Sequence, residues 1–167
     1  MKAVIQVVKS CTLTVEGVKD CSIGRGLFIL LGITREDSEK EARILAEKII
    51  RLRIFSDQND KINLGILDPF ICGDALIVSN FTLCANTAAS RRPDFFAAAK
   101  PEAAEPLYNY FVEYFTSTAN AILNKEYNTD RTIRVETGVF GGDMQICPVC
   151  DGPHTICMDT DDFCKKA

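Results

Sequence analysis

The chain has 167 residues, 47% of them apolar, enough to bury one substantial core and too few to fill two domains comfortably. A formal net charge of −4 argues against indiscriminate nucleic-acid binding, so an RNA or DNA ligand would need a local basic patch. No apolar stretch reaches transmembrane length, and the alternating start MKAVIQVVKSC lacks a signal-peptide cleavage site, so no membrane association and a cytoplasmic location are expected.

In chain order, 3–8 and 12–16 read as two strands, with Lys9-Ser10-Cys11 as a break between them. Gly17 with Lys19-Asp20, and then Gly24-Arg25-Gly26, carry turn chemistry. The run LFILLGI, 27–33, is nearly all apolar and reads as a central strand. Ser38 and Glu41 stand at capping-box spacing, and Ala42, Leu45, Ala46, Ile49 and Ile50 recur on one helical face. An alternating strand follows over 52–55, then turn residues at 58–61.

The stretch ALIVSNFTLCANTAASRRPDF, 75–95, begins as a buried strand and turns abruptly polar. A second helix is predicted from about Pro101 to Leu123, regular from near Glu105 because of Pro106, with Leu107, Phe111 and Phe115 as a core stripe. Strands are expected at 132–135, 144–149 and 154–158, with a tight turn at Asp151-Gly152-Pro153 and Pro148 confining its strand to an edge or a bulge. Strands outnumber helices, so the class is mixed α/β with largely antiparallel sheet: one domain over 1–158 and a polar, frayed tail over 159–167.

Ser79, Asn80 and Thr82 surround Phe81 where a core strand would have continued apolar, and the polar groups there need partners. A ligand is one candidate, and a satisfied strand end is the other. Arg91-Arg92-Pro93 suits an anionic partner at the same mouth, or a solvated loop. The eight cysteines read as reduced, most of them inert in the core. Cys147, Cys150, His154 and Cys157 have the spacing of a compact zinc knuckle, but strands and a turn would spread them over different faces, so no metal is expected. His154, the single histidine, could serve Thr82 or Ser79 as a base, but no acidic orienter is identifiable. An enzyme built this way would rely on backbone donors and on groups brought by its substrate.

GLFILLGI, KIIRLRIF, SNFTL, RRPDF, PEAAEPLYNYF, GVFGGDMQ and DGPHT, in this order and spacing, resemble the D-aminoacyl-tRNA deacylases over nearly the whole chain. The resemblance implies a homodimer of barrel-like paired sheets with two main helices outside and no cofactor. It implies hydrolysis of the ester joining a D-amino acid to the terminal adenosine of tRNA. In that family the segment matching Ser79-Asn80-Phe81-Thr82 lines the pocket, the N–H groups of Phe81 and Thr82 stabilise the oxyanion, and the substrate 2′-hydroxyl takes part. Gly152-Pro153 matches a cis step that enters the partner's site and excludes L-side chains. Glycyl-tRNA is therefore also a substrate to expect, and Arg91 and Arg92 would suit tRNA phosphates.

The chain departs from the family pattern at Val7, where an arginine supports the Gly-Pro step, and at Asn80, where a glutamine is usual. Cys150 replaces an asparagine, and His154 a small apolar residue. Two alternatives are an editing deacylase for mischarged L-aminoacyl-tRNA and a non-catalytic nucleic-acid-binding module on the same fold.

Overall fold

A computed structural model describes residues 1–88 and 91–163. Strand β1, Lys2–Val15, is the axis of the molecule. It pairs antiparallel along one edge with β3, Gly26–Gly32, and then β2, Lys19–Ile23; the other edge takes β8, Gln145–Asp159. Beyond β3 lie β6, Asp74–Ser79, and β7, Val135–Thr137, each parallel to the strand before it. The result is a strongly curved, nearly closed, largely antiparallel sheet, with a separate hairpin of β4, Arg53–Ser56, and β5, Ile62–Gly65.

Two helices cover one face. In α1, Glu39–Ile50, the capping box forms as the sequence predicts, and the five apolar residues of the expected face are the buried ones. Helix α2, Pro101–Tyr127, buries Ala104, Tyr108, Phe111, Phe115, Ala119 and Leu123. Both helices pack on Ala3, Ile5, Val7, Leu27, Ile29 and Ile77 of the sheet, whereas Val8, Cys11, Leu13, Leu76 and Val78 build a second core on the opposite face.

Several elements differ from expectation. There is no break at Lys9-Ser10-Cys11, because an irregularity between Val8 and Ser10 absorbs the change of face while β1 continues. The turn precedes Lys19, with Gly17 at φ 68°, so Lys19-Asp20 opens β2. Helix α2 begins at Pro101, which occupies a first-turn position, and continues through Pro106, whose missing N–H costs it one backbone bond. It also runs on to Tyr127, ending on Asn128 in the left-handed region. The strand expected at 132–135 is displaced to Val135–Thr137, and β5 was not foreseen.

Asp151-Gly152-Pro153 does not reverse the chain. It is a bulge within β8: Gln6 pairs with Thr155 and Val8 with Cys150, so residues 151–154 are extruded opposite Val7. Residues 160–162 are not a frayed tail but a 3-10 turn, in which Thr160 is buried and its hydroxyl accepts from the Met1 amino group at 2.5 Å. The rest of the expected tail, 164–167, lies outside the described residues.

Candidate functional site

Strands β3 and β6 run parallel, Leu31 opposite Ser79, and the chain leaves β6 in a 3-10 turn, Phe81–Cys84. The turn lies against β3 because residue 32 is glycine. A Cβ there would stand 2.8 Å from Leu83 Cβ and 3.2 Å from the Asn80 carbonyl oxygen. Asn80 is pinned by its N–H to the Leu31 carbonyl at 2.8 Å. Its side-chain carbonyl caps the turn, accepting from the Thr82 N–H at 3.1 Å and the Thr82 hydroxyl at 2.5 Å. Phe81 N–H occupies the first position of the turn, where a helical segment supplies no internal acceptor.

Beside this turn opens a cavity of about 720 Å³. Ser79, Asn80 and Phe81 line one wall, Phe140 to Met144 another, and Phe95, Ala98 and Lys100 the rim. Phe81 and Phe95 meet edge-on with centroids 5.1 Å apart. Behind Phe140, Tyr108 donates its hydroxyl to the Ile77 carbonyl at 2.7 Å, and burial pushes its phenol pKa up. Beneath the turn, Cys84 is buried against the Ile33 carbonyl; burial, then the charge of Asp37, raises its thiol pKa. Asp37 accepts from the Met1 amino group at 2.5 Å and from the Thr34 N–H at 2.6 Å, fixing the end of β3 beside the cavity.

The predicted residues fall into separate places. Ser79, Asn80 and Phe81 line the cavity, and Thr82 joins them through Asn80. Arg91 and Arg92 are exposed in a loop closed by the paired backbones of Asn86 and Asp94, and neither is among the cavity-lining residues. Gly152 and Pro153 are exposed at the β8 bulge, joined by a cis peptide bond. At φ 113° residue 152 is suited only to glycine, and a Cβ would meet His154 N at 2.6 Å. His154 belongs to that bulge and does not line the cavity, so the sequence's candidate base stands apart from Thr82 and Ser79 within one chain.

Among the described residues no three His, Cys, Asp or Glu side chains gather as metal ligands, and Cys147, Cys150 and Cys157 are exposed along β8. The expectation of mostly core cysteines is corrected accordingly: Cys72 is exposed as well, and among the described cysteines Cys11 and Cys84 alone are buried. Burial, helped by the neighbouring Cys150 and Cys147, raises the Cys11 thiol to about 11, which keeps it protonated at neutral pH. Sequence reasoning missed the roles of Gly32, Arg35 and Lys100. Gly32 was visible as the lone interruption of an apolar strand, whereas nothing local marks the two cations.

A cavity ending on a polar turn that presents N–H donors, with Asp143 on another wall, is suited to a ligand that carries a carbonyl or acyl group. The particular family follows from comparison: the chain belongs to the D-Tyr-tRNA(Tyr) deacylase family, whose model matches residues 4–159. It is similar to a D-aminoacyl-tRNA deacylase of Chloroflexus aurantiacus, 46% identical over 96% of this chain and 91% of that one. Among solved structures it resembles one titled c-Myc DNA Unwinding Element Binding Protein, with TM-score 0.81 and 36% identity, over 95% of this chain and 98% of that one. It shares the fold of a structure titled as a probable eukaryotic D-amino acid tRNA deacylase, with TM-score 0.71 and 19% identity, over 94% and 98% of the two chains.

Proposed function

We propose that this protein hydrolyses the ester between a D-amino acid and the terminal adenosine of tRNA, acting in the cytoplasm as a homodimer. The observation that carries this reading is the cavity that ends on the Asn80–Thr82 turn, in a chain of the deacylase family. The aminoacyl adenosine fills the cavity, with its ester carbonyl against the turn. Negative charge developing on the carbonyl oxygen is met by the Phe81 N–H and by the Thr82 N–H as that donor shifts from Asn80.

Thr82 does not act as the nucleophile in this scheme. Its hydroxyl proton is given to an amide oxygen, Asn80 Oδ1, which is no base. Water is then the nucleophile: it bonds to the ester carbon, the ribose oxygen leaves with a proton, and the substrate's own 2′-hydroxyl, adjacent to the ester, is the group left to orient the water and relay that proton. Loss of hydrolysis with a 2′-deoxy terminal adenosine, together with retention in Thr82→Ala, tests this; a Thr82→Ala variant without activity would return the threonine to the role of nucleophile.

Chirality is read by the partner subunit's Gly152 and Pro153, carried into the mouth of the cavity by the exposed bulge of β8. Among the described residues that long strand pairs with β1 alone, and its exposed Val149 offers apolar surface for a second copy. An L-side chain meets this wall and a D-side chain points away, while glycine, lacking a side chain, is not excluded. Arg91 and Arg92 bind tRNA phosphates from the neighbouring loop. Val7, buried opposite the bulge, supplies packing where the family's arginine would supply hydrogen bonds.

A further inference from the structure

The substrate proposed above is longer than the cavity that receives it. A volume of about 720 Å³ holds an aminoacylated nucleoside, so the unpaired tRNA strand leading to that nucleoside must leave across the rim. The rim is residues 94–100, and it is rigidly tied down. Arg35 N–H donates to the Ala97 carbonyl at 3.0 Å and Ala99 N–H to the Ile33 carbonyl at 2.9 Å. Phe96 N–H bonds Asp94 Oδ1 at 3.3 Å. Consecutive aromatics on this support have opposite fates. Phe95 lines the cavity edge-on to Phe81, whereas Phe96 does not line it and leaves 75% of its surface in water.

Two exposed cations belong to the same rim. Arg35 is held by its Nε on the Ala98 carbonyl at 3.3 Å, and Lys100 follows the loop directly; both line the cavity. Of the acidic groups nearby, Asp94 is engaged by the Phe96 N–H, Glu36 adjoins Arg35, and Asp143 lies among the cavity-lining residues of the glycine loop. On a chain of net charge −4, an exposed aromatic on a fixed loop that also carries two exposed cations is a pattern that binds single-stranded nucleic acid: the ring stacks on a base while the cations follow the backbone.

We propose that Phe96, on the rim that also carries Arg35 and Lys100, is a stacking platform for the unpaired nucleotide immediately 5′ of the terminal adenosine of the substrate tRNA. The inference rests on the deacylase reading, and it makes Phe96 a positioning residue that acts through the polynucleotide rather than through the reacting ester.

The test compares wild type, Phe96→Ala and Phe96→Trp on D-tyrosyl-tRNA and on D-tyrosyl-adenosine. Loss of one base stack should raise KM for the tRNA about tenfold with kcat retained. D-tyrosyl-adenosine, which has no preceding nucleotide, should be cleaved as by wild type, and tryptophan should restore the tRNA KM. Lys100→Gln should flatten the salt dependence of the tRNA KM by a slope of about 0.7, one single-strand phosphate contact. Equal losses on both substrates, or no loss on either, would overturn the proposal. So would a change of oligomeric state in Phe96→Ala by size-exclusion chromatography, which would make Phe96 a contact between copies. Fluorescence anisotropy with an uncharged five-nucleotide RNA ending in CCA separates this inference from the catalytic reading. Weaker binding by Phe96→Ala supports the platform even if wild type cleaves neither ester, and unchanged binding refutes it.

Discussion

Replacing Asn80 by Asp changes one atom and tests the proposed chemistry at its centre. Asp caps a helical turn about as well as Asn, so the bonds to the Thr82 N–H and hydroxyl, 3.1 and 2.5 Å in the native chain, survive and the fold should be unaffected. What changes is charge. An oxyanion bound by the Phe81 and Thr82 N–H groups would lie roughly 5 Å from the new carboxylate, and at an effective dielectric constant of about 20 the repulsion is about 3 kcal/mol. Thr82 and Phe81 are exposed, so solvent screening reduces this, and the expected fall in kcat is about 10- to 100-fold. The assay is single-turnover hydrolysis of D-tyrosyl-tRNA beside a thermal melt. A kcat within about threefold of wild type, at unchanged Tm, would refute the placement of the oxyanion at this turn.

Other perturbations follow from the same geometry. Gly32→Ala forces a Cβ to 2.8 Å from Leu83 Cβ, which should cost about 1–3 kcal/mol in urea unfolding and lower kcat by displacing the turn. Gly152→Ala places an L-residue at φ 113° against His154; the D-over-L rate ratio should drop by about tenfold or more while D-tyrosyl-tRNA is still cleaved. Ser38→Ala removes the capping box of α1 and should cost about 1 kcal/mol at neutral pH. The hydrogen bond from Ser38 lowers the pKa of Glu41 from its ordinary 4.5. The carboxylate's share of that stability is therefore present above pH 4.5 and is lost as pH falls through the depressed folded value, so the gap between wild type and Ser38→Ala should narrow in acid to the part supplied by the Lys40 N–H bond to Ser38.

Periodic elements were legible in the sequence because their signal is local. The face of α1 and its capping box follow from spacing alone, as do Phe111 and Phe115 of α2, whereas Leu107 of the expected stripe is only partly buried beside Tyr108. The misread elements are those decided by pairing partners. Lys9-Ser10-Cys11 and Asp151-Gly152-Pro153 carry the composition of breaks and turns, yet β1 and β8 hold each other in register on both sides and reduce these stretches to bulges. The same blindness hid the fate of the cysteines. Whether Cys147 or Cys157 is buried depends on β8 being an edge strand, a property of the sheet rather than of the segment. At the site, the polar turn after β6 was visible as an anomaly, but the reach of Asn80 back to Thr82 depends on Asn being one methylene shorter than Gln and on Gly32 below it.

The central claim is that this cavity cleaves aminoacyl esters and reads their handedness. Its most direct test is the rate of hydrolysis of D-tyrosyl-, L-tyrosyl- and glycyl-tRNA by the purified protein. Rapid loss of the D-ester and of the glycyl ester, with the L-ester surviving, is the predicted result. Equal cleavage of D- and L-tyrosyl-tRNA, or cleavage of neither, would contradict it.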